Sequence, residues 1–155
     1  MNKHAYVTES DQGGKAAFEL DYKSFGDIQS VLSLKSGHVS GFSSCLAQSL
    51  PEVAAQMDEY DFGSLHLEVG VLTLATRNAI ARRDWYSVGK YFHFAAGLMK
   101  NGGHELVDAL TVSYVESLLY GETTLNYMKA RSLLPESLAA ALAGVERHYQ
   151  ALQAH

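Results

Sequence analysis

The residues able to do chemistry fall into three groups. The first is "QMDEYDF", residues 56–62, where Asp58, Glu59 and Asp61 alternate with Tyr60 and Phe62. The second is a pair of glutamates inside apolar runs, Glu68 in "HLEVGVL" and Glu116 in "VSYVESLL". The third is the histidines His66, His93 and His104, with Cys45 as the one thiol. Two carboxylates brought together out of water shift each other's pKa and serve as an acid/base pair. The competing reading is structural. An unpaired buried carboxylate is costly, so Glu68 and Glu116 must accept hydrogen bonds from neighbours and thereby fix helix register.

Few signatures for a named reaction are present. There is no P-loop, and "SGHVSGFSS" does not match the G-x-S-x-G nucleophile turn. "HELVD" opens like a zinc-protease motif, but Asp108 stands where the second histidine is required. No glutamate has a histidine three residues later, the spacing a di-iron bundle uses. No metal site or cofactor is therefore expected. His66 shares a helix face with Gly70, Thr73 and Arg77, a polar stripe. Cys45 reads as a small buried hydrophobe unless the fold brings a histidine beside it.

The aromatic and acidic group at 58–61 admits another use. Exposed aromatics anchor protein partners while surrounding charges steer the approach. Asp58, Glu59, Tyr60 and Asp61 are thus candidates for a binding rim. Phe94 joins them, because the apolar stripe of its helix runs through Val88, Tyr91, Phe92, Ala95, Leu98 and Met99 and leaves Phe94 on another face. The alternative for Phe94 is packing against the N-terminal segment.

These side chains need elements to hold them. Length, 155 residues, fits one domain with a core large enough to dispense with disulfides. The net charge of −5 disfavours nucleic acid and suits a basic protein partner. One cysteine and no apolar leader point to a cytoplasmic protein, and no apolar run reaches membrane-spanning length. Residues 1–42 form a variable segment in which "AYVTE" and "KAAFELDY" read as strands around "SDQGG", a possible β-hairpin. "DIQSVLSLKSG" fits helix or strand equally. Residues 43–155 read as a mainly α core, an antiparallel bundle or array of helical hairpins. Pro51 suits a first helical position. "GSLHLEVGVLTLATRNAIARR" spells a long helix ending on Arg82 and Arg83, and Asp84 is the N-cap of the next. "NGG" at 101–103 links to "HELVDALTVSYVESLLY", apolar on nearly every side and so destined for the middle of the bundle. Pro135 opens the last helix. Phe62 is expected to fold inward as a staple near residue 66 or 67.

From about Leu46 onward the pattern resembles a poorly characterised bacterial family of small helical domains, often encoded beside polymorphic toxins. The likeness is carried by "LAQSLPEV", "GSLHLEVGVLTLATRNAIARRDW", "KYFHFAAGLM" and "LTVSYVESLL". In that family a small-residue helix with an internal glutamate, a gap ending in an acid and a vS-x-x-E-x-L helix recur in this order. Glu68, Asp84 and Ser113 with Glu116 match these positions. The resemblance implies an immunity protein that binds and neutralises a cognate toxin, with no catalytic residues and with Glu68 and Glu116 as framework. A small helical enzyme or metal protein using Glu68, Glu116 and the histidines, and a self-associating helical scaffold, remain the alternatives.

Overall fold

A computed structural model describes residues 41–155, and all of the regular structure in that range is helical. The strands expected at "AYVTE" and "KAAFELDY", and the segment "DIQSVLSLKSG", lie outside the described residues. The helices are α1 (Gly41–Ser49), α2 (Pro51–Ala54), α3 (Leu65–Ala81) and α4 (Trp85–Asn101). Then come α5 (His104–Leu110), a π-helical turn π1 (Thr111–Glu116) and α6 (Ser117–Leu119), which run on as one rod. The chain closes with α7 (Leu125–Ser132) and α8 (Glu136–Gln153). This is the mainly α bundle that the periodicity predicts.

The α3 helix is the hub. It packs on α1, α2, α4, the α5–π1–α6 rod and α7, while α8 lies across α4 and π1. The central rod buries Leu106, Ala109, Leu110, Tyr114, Val115, Leu118 and Leu119. Its placement follows from its near-continuous apolar surface. Short links make successive helices antiparallel, but α3 and the rod are parallel neighbours. Thr73 bonds to Ser113 and Arg77 to Ser117, so both elements advance together.

Local signals set the boundaries. Pro51 sits at the first turn of α2, where a missing N–H costs nothing. Asp84 caps α4 by accepting from the Ser87 amide at 3.2 Å and the Ser87 hydroxyl at 2.7 Å. Both bonds hold its carboxyl below the usual carboxylate range. Asp84→Ala is expected to cost about 0.5–2 kcal/mol at neutral pH. Because the folded-state pKa is depressed, this stabilisation is full above the unfolded value of about 4 and is lost as pH falls through the folded value. Urea titrations of both proteins at pH 7 and in acid should therefore show a difference that shrinks as the pH falls.

The end of α3 departs from expectation. Arg82 and Arg83 lie past the last turn, not within it, and Arg83 adopts φ +59°. The amide of Asp84 donates to the Ala79 carbonyl at 2.9 Å and that of Arg83 to Ile80 at 3.0 Å. This is a Schellman closure, with arginine where glycine usually sits. A side chain with a Cβ is strained there. Arg83→Gly should thus raise stability by about 0.5–1 kcal/mol, read as a higher urea midpoint at unchanged slope.

Candidate functional site

The acidic stretch lies in the link between α2 and α3, at an exposed junction as the sequence predicts. Met57 and Leu65 pack on the core and anchor the link at both ends. Between them the chain braces itself. Asp58 accepts from the Tyr60 amide at 2.9 Å, and Asp61 accepts from the Asp58 amide at 2.8 Å. Such local side-chain bonds give a turn a defined shape. Two of the three acids are therefore partly engaged in holding the loop. Glu59 and Tyr60 point outward, Tyr60 with 77% of its surface exposed. Phe62 does not staple inward. It stays 50% exposed, next to Gly63 at φ +90°, which turns the chain before α3 begins. Leu65 takes the inward position instead.

Phe94 does not belong to this rim, which corrects the sequence expectation. It is fully buried and meets the ring of Phe42 edge-on, with centroids 6.1 Å apart. The physical reason is that α1 covers a second side of α4. That side lies off the stripe through Val88, Tyr91 and Phe92, so the periodicity of α4 alone does not reveal its cover.

The two glutamates part company. Glu68 is wholly buried, as expected, and accepts from the Gly63 amide at 3.0 Å, across the start of its own helix. Glu116 is only half-buried, contrary to expectation. It faces α8, where its carboxylate beside the Tyr149 hydroxyl raises the pKa of that phenol. The side chain emerges there because the π turn rotates it off the apolar face. The two carboxylates serve different partners, one in the α2–α3 link and one on α8. Among the described residues no group of three or more His, Cys, Asp or Glu is arranged to hold a metal ion. Cys45 is buried, with Ser49 Oγ 4.0 Å from its sulfur.

Where the sequence shows only a polar stripe on α3, the structure builds a seam. Thr73 donates to the Ser113 carbonyl at 2.5 Å, and Arg77 donates to the Ser117 carbonyl at 2.8 Å. His66 Nδ1 lies 2.7 Å from the Ser113 hydroxyl. Deeper in, the Tyr114 hydroxyl and Thr76 Oγ1 are 2.9 Å apart, and Thr76 donates to the Leu72 carbonyl at 2.8 Å. Burial pushes the Tyr114 phenol far up, so it stays protonated. A π turn disturbs the regular backbone ladder, and side chains of α3 bond to two carbonyls of this stretch. A shallow groove of about 420 Å³ opens along the seam, lined by His66, Gly70, Thr73, Arg77, Val112, Ser113 and Ser117. The sequence marks Ser113 only through the family likeness and does not mark Ser117, and neither is placed beside α3 by its spacing, because the π turn inserts a residue.

A second hollow, of about 530 Å³, lies between the α6–α7 link and α8. The Arg131–Glu146 ion pair borders it, and Tyr120, another lining residue, stacks on Tyr149 at 4.4 Å. Among the described residues no helix is long and apolar enough to cross a membrane.

A family model described as a domain of unknown function, DUF7674, matches residues 43–150. Neither a curated protein nor a solved structure matches the chain.

Proposed function

This chain belongs to the DUF7674 family of domains of unknown function, and from that premise we propose that it is a non-catalytic, cytoplasmic immunity protein. It binds a cognate bacterial toxin domain and neutralises it by direct contact. The observation that carries this reading is the α2–α3 link. An ordered, self-braced loop holds Tyr60 and Phe62 out in solvent beside Glu59, with Leu67 also 51% exposed at the start of α3. An aromatic group held out by a loop with a defined shape loses little entropy on binding. The acids and the net charge of −5 favour a basic partner surface. The resemblance of the helical segments to domains encoded beside toxins supplies the toxin as the kind of partner.

Co-expression with the toxin-like protein of the neighbouring gene tests the reading: restored growth and co-purification are expected. Growth that is not rescued, with no complex recovered, would sink it. On the rim, Tyr60→Ala should raise the dissociation rate by about 30-fold, the effect of losing roughly 2 kcal/mol at an anchor. Glu59→Lys should act mainly on the association rate and flatten its salt dependence. Glu59 is the better charge to reverse, because Asp61 also holds the loop. Surface plasmon resonance at two salt concentrations separates these effects. A folded variant altered at Glu59, Tyr60 and Asp61 together that binds normally would leave the stretch as a helix entry only.

A further inference from the structure

We propose that the groove between α3 and π1 is a binding site for an oxyanion, a carboxylate or a phosphate, carried on a small ligand with an apolar body. The site is separate from the Tyr60 rim and does not depend on it.

Three observations meet here. The first is charge. In a chain of net charge −5, no carboxylate among the described residues lines this groove. Its polar lining consists of a guanidinium, an imidazole and three hydroxyls. The one acid of π1, Glu116, engages Tyr149 on α8 instead.

The second is donor capacity. Arg77 uses one nitrogen, Nη2, on the Ser117 carbonyl, and its guanidinium carries further N–H groups in a fixed fork suited to an oxyanion. His66 fixes the Ser113 hydroxyl from the opposite end of the groove. Ser113 and Ser117 are placed four residues apart on the rod, so both hydroxyls border the same space.

The third is Gly70. A glycine in the interior of a helix is unfavourable relative to alanine. Packing among the described residues does not account for this one, since a Cβ at residue 70 would meet nothing within 4 Å there. Gly70 has no positive φ that would need glycine either. A helical glycine that no packing among the described residues requires, on the floor of a donor-lined groove, leaves the backbone open to close approach by an outside group. Val112, 49% exposed on the rim, offers the apolar contact for the ligand body. The π turn is what makes the arrangement possible, because the inserted residue sets Ser113 and Ser117 toward α3.

The test is a heteronuclear NMR titration of the full chain with inorganic phosphate and, separately, with butyrate. Sodium chloride at matched ionic strength is the reference. The expected result is a saturable shift of the Gly70, Ser113 and Ser117 amide signals with at least one of the two anions, which also identifies the favoured class. Arg77→Gln should weaken that binding by roughly tenfold or more, as loss of a charged hydrogen bond does. Gly70→Leu, whose side chain projects into open space and leaves the core untouched, should do the same by filling the groove. Absence of saturation with both anions overturns the proposal. So does saturation that persists unchanged in either variant, with the spectra of the remaining residues serving as the check on folding.

Discussion

Glu68→Lys is expected to lower the unfolding free energy by about 3–5 kcal/mol, the loss typical of breaking a buried charge arrangement from one side. Glu68 has no exposed surface, and its carboxylate accepts from the Gly63 amide across the first turn of α3. Lysine brings a second donor to a place built around an acceptor. It also sets a positive charge at a helix N-terminus, the end that favours negative charge. Glu68→Leu removes the charge and its desolvation cost together, so its loss should be smaller, near the roughly 1–3 kcal/mol of a buried donor left without an acceptor. Glu68→Gln keeps an acceptor oxygen and should be mildest. Urea unfolding of the three variants gives the order directly. Equal midpoints for Lys and Leu would contradict a register role and require that the side chain reaches water in both.

This glutamate shows how far the sequence carries. That a carboxylate at residue 68 had to find a donor follows from its apolar neighbours alone. Which donor it finds does not, because the Gly63 amide belongs to a loop whose course depends on φ +90° at that glycine. The same division runs through the molecule. Pro51, Asp84 and the glycines at 102 and 103 mark helix ends by chemistry that acts within a few residues, and those ends lie as expected. Arg83 breaks the pattern, since the sequence supplies no glycine to announce the left-handed closure of α3. The π turn is harder still. It adds one residue to a helix whose apolar run continues on both sides, so nothing in the spacing marks the slip. That slip turns Glu116 outward toward Tyr149 and brings Ser113 beneath Thr73. The exposed position of residues 58–61 was legible because acids and an aromatic outside any helical period have little to pack against. Phe94 was legible only as two open readings, the rim or packing against the N-terminal segment. The contact with Phe42 shows the second, and spacing alone left both open because the burial of Phe94 depends on α1, an element separated from it by some fifty positions in the chain.

Phe94→Ala is expected to cost about 3–5 kcal/mol, the range for deleting a buried phenylalanine. The ring is fully buried on the side of α4 that α1 covers, and it contacts Phe42 edge-on. Deletion removes the transfer free energy of the ring and that aromatic contact, worth about 0.5–1.5 kcal/mol. It also leaves a cavity between two helices that the surrounding core cannot fully close. Phe42→Ala should cost a similar amount, and the double variant should lose less than the sum, because each single change already removes their shared contact. Tyr60→Ala provides the contrast. Tyr60 is an aromatic of comparable size at 77% exposure, so its truncation should move the urea midpoint hardly at all. The two residues, placed together on a binding rim by sequence pattern, thus separate cleanly in one measurement. Phe94 should act on stability and Tyr60 on the lifetime of the complex. A Phe94→Ala protein as stable as the parent would mean that α1 does not close over α4 in solution, and would return Phe94 to the exposed surface.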